Sequence, residues 1–356
     1  MQIIAVNKPI ITQEVQLTRR YHKSEVARNL GCIGHFPHSS RREGPVEVIN
    51  MADNYERKDI LGEGTFGVVY AAIRKSDGLM VAIKRSKPMD TKRGVHFTIL
   101  REVNYMQEFK SPYILGLVEV FMTGDAVNMV LEHCPFDLKD VIYDKSLYIR
   151  TEDLKSYMRM ILEGIHECHR KFILHRDLKP ANILIGANGE LKLADFGFAR
   201  SYSSPREMTN EVVTLAYRSP ELLLGAKYYG AGVDMWAVGC IFAEMMIRHP
   251  LFPGTSDTDQ LSRIFNVMGS PTDKAWPHHK LLPNYLEFEE RSPLNLASVF
   301  SSADPGEHGI DLMAQMLVMN PNNRTCAENA LKHPYFSASP EASKPDALPK
   351  PANKIP

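Results

Sequence analysis

Tryptophan and cysteine are scarce in this chain, two and five among 356 residues. Cys32, Cys134, Cys168, Cys240 and Cys326 are odd in number, scattered and never spaced as Cys-x-x-Cys, which argues against a disulfide framework or a structural zinc site and for a reducing compartment. Neither sign of charge is in excess. The 42 basic and 42 acidic residues give a formal net charge of zero, so no global field favours nucleic acid or an anionic membrane, and any polyanion must be held locally. Long apolar runs are missing as well: the longest, Trp236 to Ile247, contains Glu244 and falls short of the about 18 residues that cross a bilayer. No internal repeat is found. What remains is an ordinary globular composition, 44% hydrophobic and 24% charged, with length for one large domain or two moderate ones.

Residues 1–54 show no sustained helical or strand period and are expected to form a disordered extension. Basic residues outnumber acidic ones up to Arg42, as in a mitochondrial presequence, but Glu14, Glu25 and weak amphipathicity argue against one. Cys32, His35 and His38 lack a fourth spaced ligand, which favours an unliganded loop over a metal site. Met51-Ala52-Asp53-Asn54-Tyr55-Glu56 reads as a natural start, making residues 1–50 an upstream extension.

From Tyr55 the pattern becomes β-rich, with runs at Ile60–Gly62, Val68–Ile73, Met80–Lys84, Leu117–Met122 and Val127–Glu132 that predict a small antiparallel sheet. One helical segment interrupts them, from about Arg93 to Phe109, with Val95, Ile99, Val103 and Met106 on one face. After Pro135 the chain turns helical. Thr151 is the expected cap of a helix whose Glu152 and Asp153 oppose its dipole, whose Leu154, Met158, Ile161, Leu162 and Ile165 form a buried stripe, and whose C-terminus carries His169, Arg170 and Lys171. A second apolar helix spans Val233 to Ile247. The Pro-rich stretch from Pro340 to Pro356 reads as an extended tail.

Three motifs follow one another in this framework. Gly62-Glu63-Gly64-Thr65-Phe66-Gly67 runs into the strand Val68-Val69-Tyr70-Ala71, so these glycines close a hairpin rather than open a dinucleotide-binding helix. Glycine lets backbone N–H groups approach phosphate oxygens without a Cβ in the way. Val81-Ala82-Ile83-Lys84 ends a β-branched run, eighteen residues before the helical Glu102. His175-Arg176-Asp177-Leu178-Lys179-Pro180-Ala181-Asn182 then precedes Asp195-Phe196-Gly197.

In this order the motifs resemble those of the protein kinases. The resemblance implies an α+β bilobal eukaryotic protein kinase fold over residues 55–336: a small antiparallel sheet lobe with one helix (55–134), a larger mainly helical lobe (135–336), and a tail (337–356). It implies ATP and Mg²⁺ as cofactors. Lys84 would reach the α- and β-phosphates and pair with Glu102, and the pairing would act as a switch. Asp177 would accept a hydrogen bond from the attacking hydroxyl, Lys179 would neutralise the moving γ-phosphoryl group, and Asn182 with Asp195 would hold Mg²⁺, a hard ion that prefers oxygen ligands. The hairpin residues Leu61 to Val69 would cover the nucleotide. Its adenine would lie between Ala82 and Val69 on one side and Leu184 on the other, with the backbone of Glu132 and Cys134 at its edge, Leu131 as gatekeeper and Asp137 on the ribose. Lys179 in the catalytic loop resembles the serine/threonine form.

Further stretches resemble the cyclin-dependent kinases: His96 to Glu102, a divergent form of their cyclin-contacting helix; Tyr217-Arg218-Ser219-Pro220-Glu221; Gly232 to Cys240; and Leu251-Phe252-Pro253-Gly254. Leu191 to Gly197, Thr209 to Thr214, Leu224-Gly225-Ala226 and the ending Leu348-Pro349-Lys350-Pro351 are similar to the CDK-activating group, which also serves the transcription factor TFIIH. A cyclin bound through the 94–106 helix is therefore implied, with a RING-finger assembly factor and TFIIH as further partners, protein substrates, no direct nucleic-acid or membrane binding, and a nuclear or cytoplasmic site of action. Thr209 aligns with the activating threonine, and Arg101, Arg176 and Arg200 would gather on its phosphate. Ser204, before Pro205, is a second phosphosite candidate. Phe66 stands where many relatives carry an inhibitory tyrosine, which leaves Thr65 as an inhibitory site. Thr214 is expected near Asp177 and Lys179, and Arg218 beside a pocket that prefers proline after the phosphorylated residue, as in RNA polymerase II tail repeats.

Two residues depart from the pattern: Ala216 replaces a tryptophan and Ser219 the alanine of Ala-Pro-Glu. Glu221 remains, with Arg324 its expected buried partner. Another proline-directed kinase is the alternative enzyme, although Thr209-Asn210-Glu211 lacks the Thr-x-Tyr of MAP kinases. A pseudokinase scaffold would commonly lack one of Lys84, Asp177, Asn182 and Asp195, all of which are present.

Overall fold

A computed structural model describes residues 51–64, 67–87, 97–203, 207–209, 212–300 and 305–352. The expectations for residues 1–50, Thr65, Phe66, 94–96 and Ser204 lie outside these. The chain divides into two compact units: the described residues up to Gln107 together with Leu117–Glu132, and Glu108–Gly116 together with His133 onward. The sequence placed this division two residues later and did not assign 108–116 to the second unit.

The first unit is a five-stranded antiparallel sheet of β1 (Tyr55–Gly64), β2 (Gly67–Arg74), β3 (Met80–Ser86), β4 (Leu117–Thr123) and β5 (Ala126–Glu132), in the order β1-β2-β3-β5-β4. Helix α1 (Phe97–Glu108) follows β3 in the chain. Alternation of side chains puts Tyr55, Tyr70, Ala72, Val81, Ile83, Phe121 and Val130 in one core. The hairpin between β2 and β3 closes at Asp77-Gly78, where Gly78 adopts φ +72° and Arg74 holds Asp77 at 2.6 Å. Met51–Asn54, expected to finish a disordered extension, forms a 3-10 turn instead. Ala52 lies against the core and the Lys75 N–H donates to Asn54 at 2.9 Å, contacts that hold the turn in place.

The second unit is mainly helical. It opens with β6 (Phe136–Asp137), α2 (Leu138–Tyr143) and α3 (Thr151–Arg170), continues through the short strands β7 (Ile173–Leu174), β8 (Ile183–Ile185), β9 (Leu191–Leu193) and β10 (Arg200–Ser201), and then through α4 (Pro220–Leu223), α5 (Gly232–Ile247), α6 (Asp257–Met268), α7 (Leu296–Val299), α8 (Gly306–Met316) and α9 (Ala327–Leu331). The predicted stripe of α3 is buried from Leu154 to Ile165. Its cap is displaced by one residue from the expected Thr151. Arg150 is the N-cap, and the carboxylate of Asp153 closes the turn by accepting the Arg150 N–H at 3.0 Å while pairing with its guanidinium. Helix α5 is buried from Val233 to Met245, Asp234 and Glu244 included. No helix among the described residues is long and apolar enough to cross a membrane.

The expected extended tail is docked, not projecting. Lys155, itself only 2% exposed, donates to the carbonyls of Ala338 and Pro340 at 2.6 and 2.7 Å, Tyr157 donates to that of Pro349 at 2.8 Å, and Leu348 is buried. A buried ammonium requires acceptors, and these carbonyls supply them.

Candidate active site

The first unit presents Lys84 and the glycine hairpin. Lys84 on β3 stands opposite Met129 of β5, and its Nζ meets Glu102 Oε1 of α1 at 2.6 Å. Glu102 is 5% exposed and Lys84 17%, so the pair is well shielded from water and stronger than an exposed one. The glycines of the hairpin divide by role. A Cβ on Gly67 would lie 1.9 Å from the Arg85 carbonyl oxygen, so the sheet itself requires that glycine. A Cβ on Gly62 or Gly64 would meet nothing within 4 Å. Packing does not require these two; close approach of a ligand to the backbone would.

The second unit carries the polar cluster. Short strands frame it: β7 leads into His175-Arg176-Asp177, β8 follows Asn182, and Asp195-Phe196-Gly197 lies between β9 and β10, where β10 returns to pair with β7 through Arg200 and Leu174. Lys179 Nζ reaches Asp177 Oδ2 at 2.8 Å and Thr214 Oγ1 at 3.3 Å, and the Thr214 hydroxyl donates to Asp177 Oδ1 at 3.1 Å. The amide of Asn182 donates to the Asp177 carbonyl at 2.7 Å and to its Oδ2 at 2.9 Å. Residues spread over 38 positions of sequence thus converge on one carboxylate. Asp177 is held in place by donors on both oxygens, and at 5% exposure it is also shielded.

Buried groups beneath the cluster set its backbone. The Asp234 carboxylate accepts the N–H groups of His175 and Arg176 at 2.9 and 3.0 Å and meets His169 Nε2 at 2.9 Å. Arg176 takes φ +64° there. Burial pushes the Asp234 carboxyl up, yet the hydrogen bond and charge of His169 and the Arg176 N–H outweigh it and hold the group below its ordinary value. The His175 ring, fully buried, donates from Nε2 to the Ala194 carbonyl at 2.9 Å and accepts the Asp177 N–H at Nδ1, tying the two motifs together. Phe196 packs between Phe109 and His175, with ring centroids 5.1 and 4.9 Å away. Asp195 beside it takes φ +63°.

Val213 stands next to Thr214 with φ +70°, a conformation costly for a β-branched residue. Arg218 holds it there. Its Nη2 donates to the Val213 carbonyl and its Nε to that of Val212, both at 3.0 Å, while Nη1 pairs with Asp257 at 2.9 Å.

Residues 55–336 match the family model for the protein kinase domain. The chain is 44% identical over 307 residues to cyclin-dependent kinase 7 of Dictyostelium discoideum, covering 85% of both chains. It is 43% identical over 304 residues to the serine/threonine-protein kinase KIN28 of Saccharomyces cerevisiae, covering 84% of this chain and 98% of that one. A chain in the solved structure of the CAK complex from Chaetomium thermophilum, bound to ATP-gamma-S, is 38% identical with a TM-score of 0.81 and covers 87% of this chain and 99% of its own length. The chain belongs to the cyclin-dependent kinases.

In this kinase the two departures from the family pattern are accommodated differently. Ala216 is half-buried, and the turn Leu215–Tyr217 is anchored by its neighbour, since the Tyr217 hydroxyl donates to the buried Glu244 at 2.7 Å. Tyr143 donates to the other oxygen of Glu244 at 2.7 Å. Ser219 is fully buried, and among the described residues its hydroxyl has no partner. Glu221 and Arg324 form the expected pair, bidentate at 2.6 Å on each arm. Asp137, read as a ribose contact, caps α2 by accepting the Asp140 N–H at 2.8 Å.

The sequence reading gave no role to Asp234, Tyr229 or Glu244. Two acids inside the otherwise apolar α5 were the available signal, because a buried carboxylate needs donors. His169, expected to favour the helix C-terminus of α3, turns inward to Asp234 instead. Cys168 and Cys240 are buried and reduced, and burial drives both thiols up, leaving them inert.

Proposed function

We propose that this kinase transfers the γ-phosphoryl group of ATP to serine or threonine followed by proline, as the catalytic subunit of a cyclin-dependent complex of the CDK-activating class. The observation that carries the reading is the convergence of Lys179, Thr214 and Asn182 on Asp177. Phosphoryl transfer has a loose transition state, so the rate comes chiefly from positioning and charge stabilisation. Asp177 accepts the proton-bearing hydroxyl of the substrate, Thr214 and Asn182 keep its carboxylate from rotating, and Lys179 offsets the charge on the moving group.

Mg²⁺ suits the donors present. Asn182 directs its amide nitrogen at Asp177, which leaves its amide oxygen, and Asp195 adds a carboxylate, the hard oxygen set this ion prefers. When bound, the ion neutralises the phosphate oxygens that face transfer. Lys84, held by Glu102, serves the α- and β-phosphates, and the hairpin with Val69, Ala82, Glu132, Cys134, Asp137 and Leu184 takes the rest of the nucleotide.

The preference for proline is supported by Val213 and Arg218. Both carbonyls before Thr214 are engaged by Arg218, so an N–H on the residue after the phosphorylated one finds no acceptor there, and proline has no N–H to satisfy. The similarity to a cyclin-dependent kinase 7 and to a chain of a CAK complex favours a cyclin on α1 and substrates among other kinases and the polymerase tail, with a RING-finger assembly factor and TFIIH as further partners.

The test is to purify the native complex, identify its subunits by mass spectrometry, and compare phosphorylation of a polymerase-tail peptide with that of a kinase activation loop. Co-purification of a cyclin and phosphorylation of either substrate above the Asp177→Asn control support the reading. A complex lacking a cyclin, or activity no greater than that control, rejects it.

A further inference from the structure

Glu207–Thr209 is docked onto the loop after α4 at three points. The Met208 N–H donates to the Lys227 carbonyl at 2.9 Å, Lys227 Nζ meets Glu207 at 3.4 Å, and the Tyr229 hydroxyl donates to the Thr209 carbonyl at 2.6 Å. The third contact continues inward. Arg176 Nη1 donates to the same hydroxyl at 2.9 Å, and Arg176 Nε donates to the Phe198 carbonyl at 2.8 Å. Arg176 is 3% exposed, and its backbone adjoins Asp177. A line of contacts therefore runs from Thr209 through Tyr229 and Arg176 to the segment 175–182 and to the segment after Asp195-Phe196-Gly197.

A neutral phenol suits this place because it accepts from the guanidinium and donates to a carbonyl at once, whereas a phosphate can only accept. Burial raises the phenol of Tyr229 above its ordinary value and outweighs the lowering by the Arg176 guanidinium bonded to it, so the hydroxyl keeps its proton to donate. The hydroxyl thus occupies an N–H of Arg176 that a phosphate on exposed Thr209 would otherwise take.

We propose that Tyr229 is a positioning residue: its hydroxyl latches the activation segment to Arg176 while Thr209 is unphosphorylated, giving this kinase a working form that does not depend on the phosphate. The inference rests on the reading of Thr209 as the activating threonine. Phosphorylation would replace the latch with direct pairing to Arg176 and Arg200, so the two devices are alternatives rather than additive.

Tyr229→Phe removes one oxygen and keeps the ring, so the test compares wild-type and variant cyclin complexes, each dephosphorylated or fully phosphorylated at Thr209, by kcat on a Ser-Pro peptide and by melting temperature. Loss of one charged hydrogen bond predicts a fall of about tenfold in the unphosphorylated variant. The phosphorylated variant is expected within about twofold of phosphorylated wild type, since the latch is then redundant. An equal loss in both forms, failure to fold included, shows a general packing role and overturns the latch. So does a loss confined to the phosphorylated form, or none in either. If phosphate on Thr209 raises the activity of neither wild type nor Tyr229→Phe, the reading of Thr209 fails. The latch is then decided on the unphosphorylated pair alone: lost activity at unchanged melting temperature sustains it, and unchanged activity overturns it.

Discussion

Thr214 and Asp177, thirty-seven residues apart, are joined by a hydrogen bond from the threonine hydroxyl to Asp177 Oδ1 at 3.1 Å. Lys179 and Asn182 hold the other oxygen, so the carboxylate can present itself to a substrate in one orientation only. Thr214→Ala frees that orientation. It is expected to lower kcat by roughly ten- to a hundredfold, the worth of one hydrogen bond to a charged group, with little change in KM for ATP. Thr214→Ser keeps the hydroxyl and should restore most of the activity; steady-state kinetics of both variants decide the matter, and equal losses would speak against this role.

Glu221 and Arg324 are bonded through both arms at 3% and 0% exposure of the charged side chains, and Arg324 also donates to the carbonyls of Val318, Gly232 and Met319. Removing one partner leaves the other charge buried without its counterpart. Glu221→Gln should therefore destabilise the unit by about 3 to 5 kcal/mol in denaturant unfolding, far more than the net worth of an exposed pair. A loss below about 1 kcal/mol would show that water reaches the site.

Ser219 poses the opposite case. Its hydroxyl is buried without a partner among the described residues, at the position of the alanine in the Ala-Pro-Glu pattern. Ser219→Ala removes a polar group that is poorly satisfied and is expected to stabilise the fold by about 1 kcal/mol. Thermal melts would register a rise of about 2 to 4 °C; a lower melting point would mean that the hydroxyl has an unseen acceptor.

Asp234 sets a dependence on pH. Its folded-state carboxyl lies below the ordinary value, so ionised Asp234 contributes stability above the unfolded aspartate range, near pH 4, and that contribution is lost as pH falls through the lower folded value. The difference in melting temperature between wild type and Asp234→Asn should be large at pH 7 and shrink toward pH 3. A difference independent of pH would indicate that the substitution acts through packing rather than through charge.

The legible and illegible parts of this chain follow physical lines. The five strands and the helix between them were readable because alternation and three- to four-residue spacing report directly on which face is buried, as Val81, Ile83, Val103 and Met106 show. The candidate residues Asp177, Lys179 and Asn182 lie in one local motif, and Lys84 meets Glu102 across eighteen positions as expected. What escaped were roles created by distant chain segments meeting. Asp234 supports His175 from 59 positions away, and Tyr229 reaches back to Arg176 over 53; no periodicity or local motif announces such contacts. The cap of α3 was misplaced by one residue because Asp153 can close the turn from inside the helix, so a side-chain oxygen at Thr151 was not required. The tail was read as extended from its prolines alone, but Lys155 and Tyr157, which hold it, lie about 190 residues upstream and resemble ordinary members of an amphipathic helix.

The account depends most on Asp177 as the residue that receives the substrate hydroxyl. The direct measurement is transfer of labelled γ-phosphoryl from ATP to a Ser-Pro peptide by the purified complex, beside Asp177→Asn, which keeps the size of the side chain and removes its charge. A drop in kcat of about a hundredfold or more, with ATP binding preserved, is the predicted result. Transfer at the wild-type rate by the asparagine variant would contradict it.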